Sequence, residues 1–225
     1  ATLSPTAFFR YVACPLRFYF HSIARLEADD EISEEVDAPM FGTILHAAVQ
    51  TLYARIAGEA HPGETLRAMI RTGEVAQAVE AAINQNYLQD KHATAEDYSG
   101  NLLLVKDIVI RYLRGGVMPY DAAHDAFSVS GLEEPVAYPF RFRAGGRDLE
   151  MKFAGIADRI DTLDDGALRV VDYKTGSKKL DLKEVYCGLD CQMLLYLFSL
   201  TRDAGGRFTG AQPAGVLYLL ADPAP

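Results

Sequence analysis

Two strand-like segments meeting at a tight turn, Gly155 to Gly176 (GIADRIDTLDDGALRVVDYKTG), constrain this chain more than any other stretch. Asp164-Asp165-Gly166 is a strong hairpin signal, because Gly supplies the positive φ that a short turn needs. Asp158 sits on the first strand and Asp172 on the second. Side chains alternate along a strand, so Asp172 and Lys174 share a face and Tyr173 takes the other. Val170 and Val171 come just before them, so the charged residues emerge at the end of an apolar strand. Charge there is costly unless it is paired or metal-bound. Asp161 stands at odd spacing from Asp158, so an unbroken strand turns it to the opposite face and a structural role.

The rest of the chain divides by period. The first half reads as helical. Ser4-Pro5-Thr6 has the form of an N-cap followed by Pro at a helix start, ahead of an aromatic-rich segment from Phe8 to Phe20 that breaks near Cys14-Pro15. A helix is predicted from about Gly42 to Gly58, its apolar positions Ile44, Ala47, Ala48, Leu52, Ala54 and Ile56 leaving a polar face. Two further helical patterns cover about Gly63 to Asp90 and Thr94 to Gly115, with a break between them or within the first. Strands are predicted over Glu134–Arg143, Asp148–Leu163, Leu168–Tyr173 and Val216–Leu220. Before the last of them lies a helix from Leu182 or Leu189 to Arg202, stopped by Gly205-Gly206. This order implies an α/β sheet with a large helical preamble.

Composition narrows the function. The chain has 225 residues, enough for one domain with insertions, and a net charge of −9. That charge tells against a free-standing, high-affinity nucleic-acid binder, since phosphate neutralisation drives most such affinity. It leaves room for a nuclease, whose clustered carboxylates hold cations. Seven acids crowd Glu27 to Asp37, a run read as a solvated loop or cap, whereas the first 25 residues carry three Arg and no acid. No run approaches the roughly 18 apolar residues of a membrane helix, and ATLSPTAFFRY has no signal-peptide form. Three cysteines, Cys14, Cys187 and Cys191, argue against a secreted disulfide framework, so a cytoplasmic location is expected. A chain without an initiator Met that stops in ADPAP is expected to be a piece of a longer protein.

Asp158 and Asp172 suit one or two Mg2+ ions bound through oxygen, with the Tyr173 carbonyl completing the shell. Such an ion polarises a phosphodiester and activates a water, and Lys174 orients that water or offsets developing charge. On their own, Asp172 and Lys174 read equally as a surface hairpin with salt-bridged acids. Alone, His46 reads as a packed or surface residue. Gln192 and Tyr196, four apart on one helix face, read alone as packing at the edge of the core.

Together these residues resemble a known family. G-x-x-D-R-x-D, a hairpin and V-V-D-Y-K-T-G are similar to the catalytic core of the RecB-like and AddB-like nucleases of the PD-(D/E)XK superfamily. Gly42, Thr43 and His46 match the family's G-T-x-x-H, and Gln192 and Tyr196 its Q-x-x-x-Y. The opening SPTAFFRYVACPLRFYF resembles the start of AddB-type domains, whereas residues 60 to 130 match nothing recognisable. The resemblance implies a restriction-endonuclease-like fold in one domain over residues 1–225: a mixed central sheet flanked by helices, with a helical insertion at about 60–130. It implies a Mg2+- or Mn2+-dependent, exonuclease-like deoxyribonuclease of DNA recombination or repair. Asp158, Asp172 and Lys174 would be catalytic, with His46, Asp158, Asp172 and Tyr173 at the metal. Gln192 and Tyr196 would contact DNA, by stacking or by a phosphate bond. The implied partners are DNA, as single-stranded ends, and a helicase that is either a further domain or a separate chain. A non-catalytic DNA-binding module and a structure-specific endonuclease of the same fold are the alternatives. Many AddB-like nucleases also hold an iron–sulfur cluster on four Cys; only Cys14 falls at a matching place, so no cluster is expected here.

Overall fold

The computed structural model describes residues 2–26, 36–176, 181–203 and 206–220. The acidic run therefore lies outside the described residues except for Val36 and Asp37, as do Gly205 and the final ADPAP.

A short strand β1 (Thr2–Leu3) leads into α1 (Pro5–Ala13) and α2 (Pro15–Phe18). Ser4 caps α1, its hydroxyl accepting the Ala7 N–H at 3.1 Å, and Pro5 opens the first turn. Helix α3 (Ala38–Tyr53) starts four residues before the predicted Gly42, because the Asp37 carboxylate accepts the Met40 N–H at 2.8 Å and Pro39 lies in the first turn. Its buried residues Ile44, Leu45, Ala48, Val49 and Leu52 recur at helical spacing and form one stripe. His46 lies off that stripe, at its edge. The pattern from Gly63 divides at Thr72-Gly73 into α4 (Gly63–Arg71) and α5 (Glu74–Asn86), followed by α6 (Gly100–Tyr112) and α7 (Met118–Ala123).

The sheet follows: β2 (Phe127–Ala144), β3 (Arg147–Leu163) and β4 (Leu168–Lys174), then α8 (Leu182–Tyr186), α9 (Gln192–Arg202) and β5 (Pro213–Leu220). Strand β2 begins seven residues before the predicted Glu134, and β1 has no sequence signal. The sheet is mixed: β2–β3 and β3–β4 pair antiparallel, β4–β5 and β1–β3 parallel. The α8–α9 segment makes the crossover that a parallel pair requires.

One edge of β3 is shared, and this creates the site. Strand β4 pairs with it only from Arg159↔Val171 to Thr162↔Leu168, and β1 only at Lys152 and Phe153. Strand β4 then leaves β3 and continues along β5 as far as Lys174↔Leu220. Asp158 and Asp172 are the first residues past the point of separation.

An apolar cluster covers each face. On one, α3 to α7 pack over Phe127, Val129, Val171 and Tyr173. On the other, Met193, Tyr196, Leu197 and Leu200 of α9 cover Phe153, Ile160 and Val170. Full burial of such a side chain contributes about 1.5–3 kcal/mol, so these two layers hold the sheet between them.

Candidate functional site

Where the strands part, three ligand-bearing side chains converge. His46 Nδ1 lies 3.4 Å from Asp158 Oδ2 and 4.0 Å from Glu133 Oε1. All three ligand atoms lie within 4.8 Å of one another. The other imidazole nitrogen, Nε2, donates to the Tyr173 carbonyl oxygen at 3.1 Å. That bond leaves the Nδ1 lone pair facing two carboxylates. Such an arrangement calls for positive charge between them, either a proton or a cation. Separations of 3.4 and 4.0 Å from the imidazole nitrogen bring the two carboxylates close enough to share a cation with it.

The electrostatics agree. Burial first, and then the nearby Asp172 and Glu133 carboxylates, push the Asp158 carboxyl up to about 6. His46 and the Tyr173 N–H, which donates to Asp158 Oδ2 at 3.1 Å, oppose that rise. Burial also raises Glu133, again against His46. Crowded carboxylates that resist ionisation mark a place built for a cation.

Asp172 and Lys174 share a face as strand alternation predicts. Lys174 Nζ lies 3.0 Å from Asp172 Oδ1 and 2.8 Å from Oδ2, so Asp172 is engaged by its own lysine and is not among the three converging ligands. Tyr173, between them, is buried on the opposite face.

Glu133 is the residue that sequence reasoning missed. Between Val129↔Asp161 and Gly131↔Ile160, strand β2 carries one extra residue, Ser130. Beyond the bulge Leu132 pairs Arg159 and Glu134 pairs Ala157, which sets Glu133 level with Asp158. Glu133 holds φ +47, a left-handed conformation costly for a residue with a side chain and typical of functional sites. Its only sequence signal is a Gly two residues before an acidic pair in a strand.

Gln192 and Tyr196 do share a helix face, but their geometry corrects one expectation. The Tyr196 ring is 3% exposed, so it is closed to base stacking. Its hydroxyl accepts from Gln192 Nε2 at 3.2 Å and from the Ile156 N–H. The ring lies against Gly155, where a Cβ would come within 2.7 Å of Cε1 and 2.8 Å of Cζ. The pair therefore seats α9 on β3 next to Asp158, and of the two only Gln192 is partly exposed. Gly42 and Thr43 line a shallow open groove with His46, Gln50 and Glu133. Cys14 and Cys187 are exposed and Cys191 is half-buried, all as free thiols.

The sequence profile of the PD-(D/E)XK nuclease superfamily matches residues 2–225. The chain belongs to the PD-(D/E)XK nuclease superfamily. The mixed sheet flanked by helices is the fold expected of this superfamily. Among similar proteins, the B subunit of the ATP-dependent helicase/deoxyribonuclease of Bacillus thuringiensis (strain Al Hakam) is 29% identical over 199 residues, covering 82% of this chain and 16% of the relative. Those of Bacillus cereus (strain Q1) and Bacillus anthracis are each 30% identical over 203 residues, with the same coverage. The chain thus spans about 16% of the length of these relatives. No helix among the described residues is long and apolar enough to cross a membrane.

Proposed function

We propose that this PD-(D/E)XK domain is a metal-dependent deoxyribonuclease that hydrolyses DNA phosphodiester bonds. The observation that carries this reading is the meeting of His46, Glu133 and Asp158 beside the Asp172–Lys174 pair, where β3 and β4 separate. His46, Asp158 and Glu133 would hold a Mg2+ or Mn2+ ion, with the Tyr173 carbonyl and Asp172 within the same site. When bound, the ion supplies the charge that polarises the phosphate and acidifies a water. Lys174 holds its ammonium at the mouth of the site, where it donates to the attacking oxygen and offsets the charge that develops. Asp172 keeps that ammonium in place. Gln192, partly exposed at the start of α9, offers both donor and acceptor to a DNA phosphate or base.

Residues 1–225 form one domain in this reading, with the helices of about 60–130 as its insertion. The similarity to the B subunits of helicase/deoxyribonucleases supports a cytoplasmic repair or recombination nuclease that acts with a helicase, as a further domain or a separate chain. Exonuclease-like cutting from single-stranded ends fits that partnership, as an analogy of family rather than of site.

The test is incubation with labelled single- and double-stranded DNA in Mg2+, Mn2+ or EDTA, beside Lys174→Ala. Cleavage that EDTA and the substitution both abolish supports the reading. Equal inertness of both proteins with every metal sinks it in favour of a binding module.

A further inference from the structure

Next to Asp158, the guanidinium of Arg159 is completely buried. Its Nη1 donates to Asp121 Oδ2 at 2.7 Å and to the Tyr173 phenol oxygen at 2.8 Å. Nη2 donates to Asp121 Oδ1 and to Asp161 Oδ2, both at 3.2 Å, and Nε lies 3.0 Å from Asp161 Oδ1. The Tyr53 phenol donates to Asp121 Oδ2 at 2.6 Å, and the Tyr53 ring lies 4.7 Å from the guanidinium carbon. Arg169 also donates to Asp161, at 2.8 Å, so two cations face two carboxylates. A pair buried this deeply adds little net stability over apolar packing, because desolvation offsets the attraction. Its value lies in the geometry it fixes.

That geometry centres on Tyr173. Its N–H bonds Asp158, its carbonyl bonds His46, and its neighbours are Asp172 and Lys174. The β3–β4 ladder ends at Arg159↔Val171. Past it, two bonds tie Tyr173 to β3: its N–H to Asp158 Oδ2, and its phenol to Arg159. The first competes with a bound cation for the same carboxylate, and the second does not.

We propose that Arg159, anchored by Asp121 of α7, is a positioning residue for the site: by clamping the Tyr173 phenol it holds Asp172, Lys174 and the Tyr173 carbonyl in register with Asp158. The helical insertion thereby contributes to catalytic geometry without touching substrate. This rests on the nuclease reading above. The hydrogen bonds of the guanidinium tie α7, β3 and β4 together, and a Lys cannot reproduce its fork.

The test uses the full chain carrying Tyr173→Phe, Asp121→Asn, Arg159→Lys or Arg159→Met. Three quantities are read: Mn2+ affinity by calorimetry without DNA, kcat and KM for cleavage, and the thermal midpoint. Partners that orient metal ligands typically change affinity or activity 10- to 100-fold. Tyr173→Phe and Asp121→Asn are therefore expected to weaken Mn2+ binding and lower kcat about tenfold or more, with KM unchanged. Arg159→Lys is expected to fall between wild type and Arg159→Met. If the Arg159 variants do not fold, the near-isosteric Tyr173→Phe and Asp121→Asn decide. Variants that lose thermal stability yet match wild type in Mn2+ affinity and kcat make the cluster merely structural and overturn the proposal. A wild type that binds Mn2+ but cuts no DNA instead overturns the nuclease reading, and the Mn2+ comparison still judges Arg159.

Discussion

The Nε2–H of His46 and the carbonyl oxygen of Tyr173 are 3.1 Å apart, and that bond turns Nδ1 toward Asp158 and Glu133. A helix residue and a strand residue 127 positions apart thus set which imidazole nitrogen can take a cation. His46→Ala is expected to weaken Mn2+ binding about tenfold or more. His46→Gln, still polar but without the ring geometry, should not restore it. Calorimetry in the absence of DNA decides, and unchanged affinity in both variants would remove His46 from the metal set.

The raised Asp158 carboxyl gives metal binding a pH signature. In the metal-free protein this group takes up its proton near pH 6, against an ordinary value of 3.8. Binding must expel that proton, so Mn2+ affinity should rise with pH up to about 6 and then level off. Titrations in two buffers of different ionisation enthalpy should detect proton release near pH 6. A flat affinity from pH 5 to pH 8 would contradict the assignment.

The same shift links to stability. Between about 3.8 and about 6 the folded metal-free protein holds a proton that the unfolded chain has released. This group's contribution therefore falls as pH rises through that window and is fully destabilising above it. Asp158→Asn should stabilise the metal-free protein at pH 8 by about 1–2 kcal/mol, since Asn Oδ1 can still accept the Tyr173 N–H. In EDTA the variant's thermal midpoint should exceed that of wild type, and added Mn2+ should raise the wild type alone. A variant that melts lower than wild type in EDTA would show that the carboxylate is not under strain.

Gly155 can be tested by addition. Its missing Cβ leaves room for the Tyr196 ring, so Gly155→Ala should cost about 1–3 kcal/mol through overpacking and push α9 off β3. Tyr196→Leu, which removes the ring edge, should recover part of that loss in the double variant. Chemical denaturation of the four proteins measures the coupling, and strict additivity would mean that the two residues do not meet.

Much of this is legible in the sequence because the decisive features are local. The Asp164–Gly166 turn and the alternation of Asp172, Tyr173 and Lys174 follow from the strand period, and the structure carries both. The odd spacing that removes Asp161 from the site is met by its burial between Arg159 and Arg169. The G-T-x-x-H resemblance brings His46 toward the acids, although periodicity alone leaves it a surface residue. What is not legible depends on distant pairing. Glu133 reaches the site through a bulge, Asp121 through a helix with no recognisable motif, and the burial of Tyr196 through a glycine 41 positions away. Periodicity places a helix start too late where a cap, Asp37, precedes the apolar pattern.

Ser130 contributes no ligand, yet it works as a spacer in a counting device. Its hydroxyl meets that of Thr162 at 2.6 Å, which pins the extra residue in place. Were it paired as an ordinary rung opposite Ile160 instead of bulged out, Leu132 would stand level with Asp158, while Glu133 would move opposite Ala157 and turn away. The charge available to a cation is thus written partly in strand arithmetic. A chain with the same residues whose β2 paired without the bulge would offer one carboxylate fewer at this place, and its preference among metals would differ accordingly.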